Sequence, residues 1–82
     1  MRLVLVQWRD TRELSDTWHD IKEVEKTSSS IIHSVGWITE DNQLDLKISA
    51  CCPLELDDSE VGRTTIIPVG CIESIKDLVL KE

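Results

Sequence analysis

A small α+β domain is the fold this sequence predicts: a bent, mainly antiparallel barrel of about five strands, with one helix inserted after the first strand. Three observations predict it. Residues 31–41, IIHSVGWITED, form an apolar, strand-like run with a glycine in its middle and a polar turn at its end. Residues 44–51 then alternate apolar and polar side chains and complete a hairpin with that run. Before the hairpin, residues 10–26 change to helical spacing.

In chain order, the opening run LVLVQW, residues 3–8, has the β-branched and apolar composition of a buried strand, and the charges of Arg9 and Asp10 end it. Leu14, Trp18 and Ile21 recur at i, i+4 and i+7 with Val24 beside them, which is the stripe of an amphipathic helix. Asp10, Thr11, Ser15 and Asp16 can all cap it; a start near Ser15 with Asp16 in the first turn is preferred. Thr27-Ser28-Ser29-Ser30 has nothing to bury and reads as a linker.

In the next run Ile31, His33, Val35, Trp37 and Thr39 share one face, while Ile32, Ser34, Gly36 and Ile38 share the other. Both faces are partly apolar, as in a central strand. Gly36 weakens a strand interior, so it marks a sharp bend or the close approach of another backbone. Residues 40–43 are a polar turn. Leu44, Leu46, Ile48 and Ala50 then form a dry face against a wet face of Asp45, Lys47, Ser49 and Cys51. Residues 53–62 are too acidic to pack and form a long exposed loop. Residues 63–67 return as a strand ended by Pro68, and Val69-Gly70 makes a tight turn. Ile72, Ile75, Leu78 and Leu80 fit either a strand with a slip or a short final helix.

Eighty-two residues make one domain with a small core, which oligomerisation would supplement, so a homo-oligomer is expected. With three Trp and no Phe or Tyr, the tryptophans should dominate the packing. A formal charge of −7 repels phosphate backbones and favours a basic partner surface, although such charge more often only keeps a small domain in solution. No apolar run approaches the ~20 residues of a membrane span, and the apolar start is too short for a signal peptide. Three cysteines, two of them adjacent, are no secreted disulfide framework. A cytoplasmic protein is expected.

Catalysis finds little support. Cys51, Cys52 and Cys71 could join His19 or His33 around zinc, but without a C-x-x-C pair they read better as small buried hydrophobes. His19 reads as exposed, and His33 as a satisfied, half-buried strand residue beside Val35 and Trp37. The carboxylate pairs Glu40-Asp41 and Asp57-Asp58 sit in turns, where solvent keeps them ionised and independent. Phosphate-loop and dinucleotide-loop signatures are missing. A non-enzymatic binding protein with no cofactor and no metal is therefore expected. A nucleotide-sized ligand needs an aromatic for stacking and a cation for phosphate, and Trp8, Trp18 or Trp37 with Arg9, Arg12 and Arg63 could supply both across a subunit boundary. The plainer reading makes those arginines solvated or carboxylate-paired. The acidic residues Glu55, Asp57, Asp58 and Glu60 offer a second surface, for a protein partner.

Two resemblances sharpen this. SVGWITEDNQLDLKIS followed by TTIIPVGCIESI resembles the Sm-like and SH3-like small barrels. Their bent-strand glycine falls on Gly36, their acidic residue and asparagine on Asp41 and Asn42, and their closing element on Ile67, Gly70, Cys71, Ile72 and Ile75. In place of the arginine that RNA-binding members carry before the closing glycine, this chain has Pro68-Val69. The chain also resembles a group of small phage-encoded proteins with a W-x-D, a V-G-W and an I-P-x-x-C-I pattern. Here these are Trp8-Arg9-Asp10, Val35-Gly36-Trp37 and residues 67–72. That likeness implies a viral accessory protein in a bacterial cytoplasm that counters host defence. It would do so by sequestering a cyclic or ADP-ribose-type nucleotide signal or by binding a host defence protein.

Overall fold

A computed structural model describes residues 1–55 and 59–81 of the chain. Its elements are β1 (Leu3–Asp10), α1 (Ile21–Lys26), β2 (Ser30–Asp41), β3 (Asp45–Cys51), β4 (Gly62–Pro68), a 3-10 turn (Val69–Cys71) and β5 (Ile72–Asp77). The final segment, open between strand and helix from its apolar spacing, is strand β5. All neighbouring strands are antiparallel, in the order β4-β3-β2-β1-β5.

Connectivity alone forces this sheet to curl. Four steps of about 4.8 Å would set the outer strands of a flat sheet about 19 Å apart. Yet only Val69–Cys71 joins β4 to β5, and so short a link spans at most about 14 Å even when fully extended. The outer strands must therefore converge at that end. Curling brings Val4 and Val6 of β1 against Leu46 and Ile48 of β3 and Ile67 of β4, although β1 and β3 are separated by β2. All five are at most 2% exposed, with Trp8, Ile38 and Ile72 packed beside them.

The expected closed barrel is corrected in one respect: the sheet is open. No ladder joins β4 to β5; a three-residue turn brings two strand ends together without aligning their lengths. Gly36 does stand at a close approach. It pairs with Val4, and a Cβ there would lie 3.0 Å from the Ser49 carbonyl oxygen and 3.2 Å from the Ile48 Cβ.

Three further expectations are revised. The helix does not begin near Ser15: it covers only Ile21–Lys26, capped by Asp20, whose carboxylate accepts the Lys22 amide at 2.9 Å. The stripe of Leu14, Trp18 and Ile21 lacks a surface to pack on, since α1 has no buried residue and makes no substantial contact with any strand; without packing, a longer helix has no source of stability. Tryptophan does not dominate the core, which is aliphatic. Trp8 packs beside it and donates its indole N–H to Ser34 Oγ at 3.0 Å, Trp37 lies on the opposite face, and Trp18 is 90% exposed. Finally, the wet face of β3 is not wet at Ser49, which is fully buried, its hydroxyl 2.8 Å from Thr64 Oγ1.

Residues 11–29 leave the sheet between Asp10 and Ser30, which are register partners, so this segment is an arm set into the far end of the β1–β2 hairpin. The radius of gyration is 16.6 Å and the long axis 54 Å, against about 12 Å expected for the radius of a compact chain of this length. No described helix is long and apolar enough to cross a membrane.

Candidate functional site

Register decides which chemistry meets. Gln7 pairs with His33 across β1 and β2, and with Ser74 across β1 and β5. The ladder shifts between Gln7 and Trp8 on the β5 side, and this irregularity lets Glu73 reach both Gln7 and Arg9. The result is a continuous row. His33 Nε2 donates to Gln7 Oε1 at 3.0 Å, Gln7 Nε2 donates to Glu73 Oε2 at 2.9 Å, and the Arg9 guanidinium binds Glu73 Oε1 and reaches Ser29 Oγ at 3.3 Å. Hydrogen bonds from Gln7, and then from Arg9, hold the Glu73 carboxyl below its ordinary range. So stabilised, it is a weak base.

Arg9 and Glu73 form one wall of a cleft of about 360 Å³, completed by Asp10, Thr11, Ser29, Gly70, Cys71 and Ile72. A second cleft, of about 200 Å³, lies at the base of the arm between Arg12, Leu14, Val24, Thr27, Ser28 and Ser29. Ser29 belongs to both. The larger cleft falls within the ~300–1,000 Å³ typical of small-molecule sites.

The six residues nominated for a ligand therefore separate. Arg9 and Arg12 flank adjoining clefts, and Trp18 sits on the same arm as Arg12. Trp8 is turned into the sheet, its indole committed to Ser34. Trp37 pairs with Leu3 at the start of β1, far along the strand from Arg9. Arg63 lies on the outer strand β4 with a backbone φ of 54°, a left-handed conformation that costs a side-chain-bearing residue about 1–2 kcal/mol. Arg63→Gly should therefore raise the unfolding free energy by roughly 1 kcal/mol in urea titrations; a loss of stability would show that the arginine side chain outweighs its strain.

No family model, curated protein or solved structure matches this chain. The site must be read from its own geometry. Of the acidic loop, Glu55 and Glu60 are exposed, while Asp57 and Asp58 lie outside the described residues. The cysteines are free and are not buried small hydrophobes: Cys51 is exposed, Cys52 and Cys71 half-buried, because Cys51 and Cys52 stand where β3 ends and Cys71 in the turn that enters β5. His19 is half-buried rather than exposed, and His33 is exposed rather than half-buried, because its strand face is uncovered. Among the described residues no group of three or more His, Cys, Asp or Glu is placed to hold a metal ion.

Ser29, Glu73 and Cys71 were absent from the sequence-derived site. Ser29 read as linker and Cys71 as packing. The alternation of Gln7 and Arg9 on one strand face was visible, but it pointed to nothing until the pairing set His33 and Glu73 alongside.

Elsewhere, exposed ion pairs tie strand to strand. Lys47 binds Glu40 at 2.7 Å, and Arg2 binds Asp77 at 2.8 Å. Glu40 is held below its ordinary range by Lys47 and then Asn42, and Asp77 by Arg2. A carboxyl depressed in the folded state adds stability above its unfolded pKa and loses it as pH falls through the lower folded value. Glu40, Glu73 and Asp77 should thus contribute fully at neutral pH, and their contribution should fade below about pH 4. Salt should blunt the change, because these groups are solvent-facing. Urea unfolding at neutral and acid pH, at low and high salt, checks this. Stability unchanged down to pH 2.5 would contradict it.

Proposed function

We propose that this chain is a non-enzymatic binding protein that holds a small nucleotide-like anion in the adjoining clefts on either side of Ser29. The observation that carries this reading is the convergence of Arg9 and Arg12, from β1 and from the arm, on two clefts that share one serine. Their roles differ. Arg9 is already neutralised by Glu73, so its side shapes a polar wall in which Asp10 and Glu73 can accept hydrogen bonds from ribose hydroxyls or base amino groups. Arg12 makes no ion pair among the described residues and stands with the hydroxyls of Ser28 and Ser29, a set suited to a phosphate, while the Thr27 hydroxyl donates to the Glu23 carbonyl.

The finer architecture is consistent with this. A four-strand meander whose fifth strand returns to β1 after a 3-10 turn is arranged like the SH3-like and Sm-like small barrels, with the sheet left open. The net charge of −7 disfavours a polynucleotide, which presents many phosphates, far more than a mononucleotide or dinucleotide, which presents one or two. In the setting implied by the W-x-D, V-G-W and I-P-x-x-C-I pattern, the protein is a phage accessory factor. It withdraws a cyclic or ADP-ribose-type signal from a bacterial defence system.

A thermal-shift screen with ADP-ribose, cyclic mononucleotides and cyclic dinucleotides tests it. A ligand at a hundredfold excess over its Kd adds about 2.7 kcal/mol, which for a domain this small raises Tm by roughly 10 °C or more. Arg12→Ala should abolish the shift and leave the unliganded Tm in place. Arg63→Ala should keep the shift. A panel in which nothing moves the melt, or a shift that survives Arg12→Ala, removes this reading.

A further inference from the structure

The arm poses a physical problem that its own chain does not solve. A helix in water needs about 12–15 residues or a packed face to persist. Helix α1 has six residues and none of them is buried. Ile21 at 74% and Val24 at 51% exposure lie on it, and Trp18 at 90% stands just before it, without cover from the sheet. The hairpin geometry explains why: the arm leaves and re-enters at the paired residues Asp10 and Ser30, beyond the end of the strands, and so projects away from both sheet faces.

The same chain carries a second uncovered apolar surface. The residues alternating with the buried Val4 and Val6 are Leu3 and Leu5, which pair with Trp37 and Val35 on the outer face of the curled sheet. Val35 is 54% exposed, Leu3, Leu5 and Trp37 are half-buried, no described element makes a substantial contact across this group, and Lys76 pairs with Leu5 beside it. Lys76 makes no salt bridge among the described residues. The arm, in turn, carries Glu13, Asp16, Asp20, Glu23 and Glu25 against Arg12, Lys22 and Lys26. An apolar ridge with acidic flanks and an apolar patch with a free lysine at its margin are complementary, and both belong to one molecule.

We propose that two copies of this chain associate reciprocally, each laying the Trp18–Ile21–Val24 side of its arm on the Leu3–Leu5–Val35–Trp37 patch of the other. A two-fold axis makes every such contact occur twice. Each arm offers roughly 400 Å² of apolar surface, dominated by the tryptophan. Counted with the at most about 300 Å² that Leu3, Leu5, Val35 and Trp37 expose and doubled by symmetry, this buries on the order of 1,300 Å², towards the lower end of stable interfaces. Pairing also supplies the packed face that α1 lacks. The contact shares Val24 with the smaller cleft of the ligand reading above, but the solution mass and the cross-links are read without ligand, so the two readings fail separately.

The test is the solution mass of the full chain, by sedimentation equilibrium or light scattering over a concentration series, for wild type, Trp18→Ser and Val35→Glu. Wild type should have twice the chain mass and each variant a single chain mass. An equimolar mixture of the two variants should associate at the top of the concentration series, more weakly than wild type but more than either variant alone, because it retains one intact arm-on-patch contact. Replacing Trp18 with benzoylphenylalanine, a photo-crosslinker that keeps a large aromatic side chain at a position too exposed to affect folding, provides a readout that does not depend on the Val35 variant. In a mixture of isotopically light and heavy chains, cross-links should join position 18 of one copy to residues 3–5 or 35–37 of the other. A monomeric wild type overturns the proposal. So do cross-links from arm to arm, as does a dimer that persists in Trp18→Ser, the sign of strand-edge pairing. If wild type is monomeric but a foreign protein cross-links at position 18, the arm serves a different partner and the self-association is rejected.

Discussion

Leu46→Ala should lower the unfolding free energy by about 3–4 kcal/mol, read as a drop in the urea midpoint at unchanged slope. Leu46 is fully buried and its register partner Ile67 is 1% exposed, so the pair joins β3 to β4 at the centre of the curled face. Truncation removes apolar contact from both strands and leaves a cavity that a sheet held by ladders on each side of β3 is poorly able to collapse. A chain this short has only about 4–12 kcal/mol in total, so a single truncation should leave it close to unfolding at 37 °C. The neighbouring Leu44 is 76% exposed although it belongs to the same alternating series; Leu44→Ala should cost less than about 0.5 kcal/mol. Equal losses at both positions would show that burial does not follow the curl described above.

Gly36→Ala is expected to destabilise by about 1–3 kcal/mol, and Gly36→Val by more. On strand propensity alone alanine should stabilise slightly and valine by about 1 kcal/mol, because glycine is among the poorest residues in a strand interior and valine among the best. The clash is the larger effect. An added Cβ would stand 3.0 Å from the carbonyl oxygen of Ser49, and this is backbone in the adjacent strand, which cannot rotate away as a side-chain tip would. Gly70 supplies the control: a Cβ there meets nothing within 4 Å, so Gly70→Ala should change stability by no more than about 0.5 kcal/mol. Thermal melts of the three variants give the comparison. A Gly36→Ala protein as stable as wild type would mean that β2 and β3 are not in close contact at this point.

Particular residues show how far the sequence could be read. Alternation over residues 44–51 placed Leu46 and Ile48 correctly on the dry face but also put there Leu44 and Ala50, which are exposed, and the glycine within an otherwise apolar run located the tight approach of β2 to β3. The same alternation misplaced Ser49, since it treats one face as solvent, whereas the pairing sets Thr64 of β4 beside that serine and Thr39 of β2 within 3.5 Å of it. The spacing of Leu14, Trp18 and Ile21 is that of a packed helix. What it could not reveal is that the hairpin ends beneath the arm and leaves nothing to pack against. At the candidate site, the arginines were recognisable as cations for an anion, but grouping all six nominated residues failed. Trp8, Trp37 and Arg63 point to separate parts of the sheet because neighbours in sequence take opposite faces and different strand ends.

By itself, the sequence determined the local elements: where strands run, where turns fall, where a side chain is excluded, and that the chain has little interior. These follow from side-chain periodicity and backbone sterics over a few residues. Only the tertiary structure decided which face of each strand is dry, which two of the nominated arginines line adjoining clefts, and that the arm stands uncovered. Those outcomes depend on register and curl, which arise when β5 returns to β1 and a three-residue link draws the outer strands together, a constraint that no local pattern encodes.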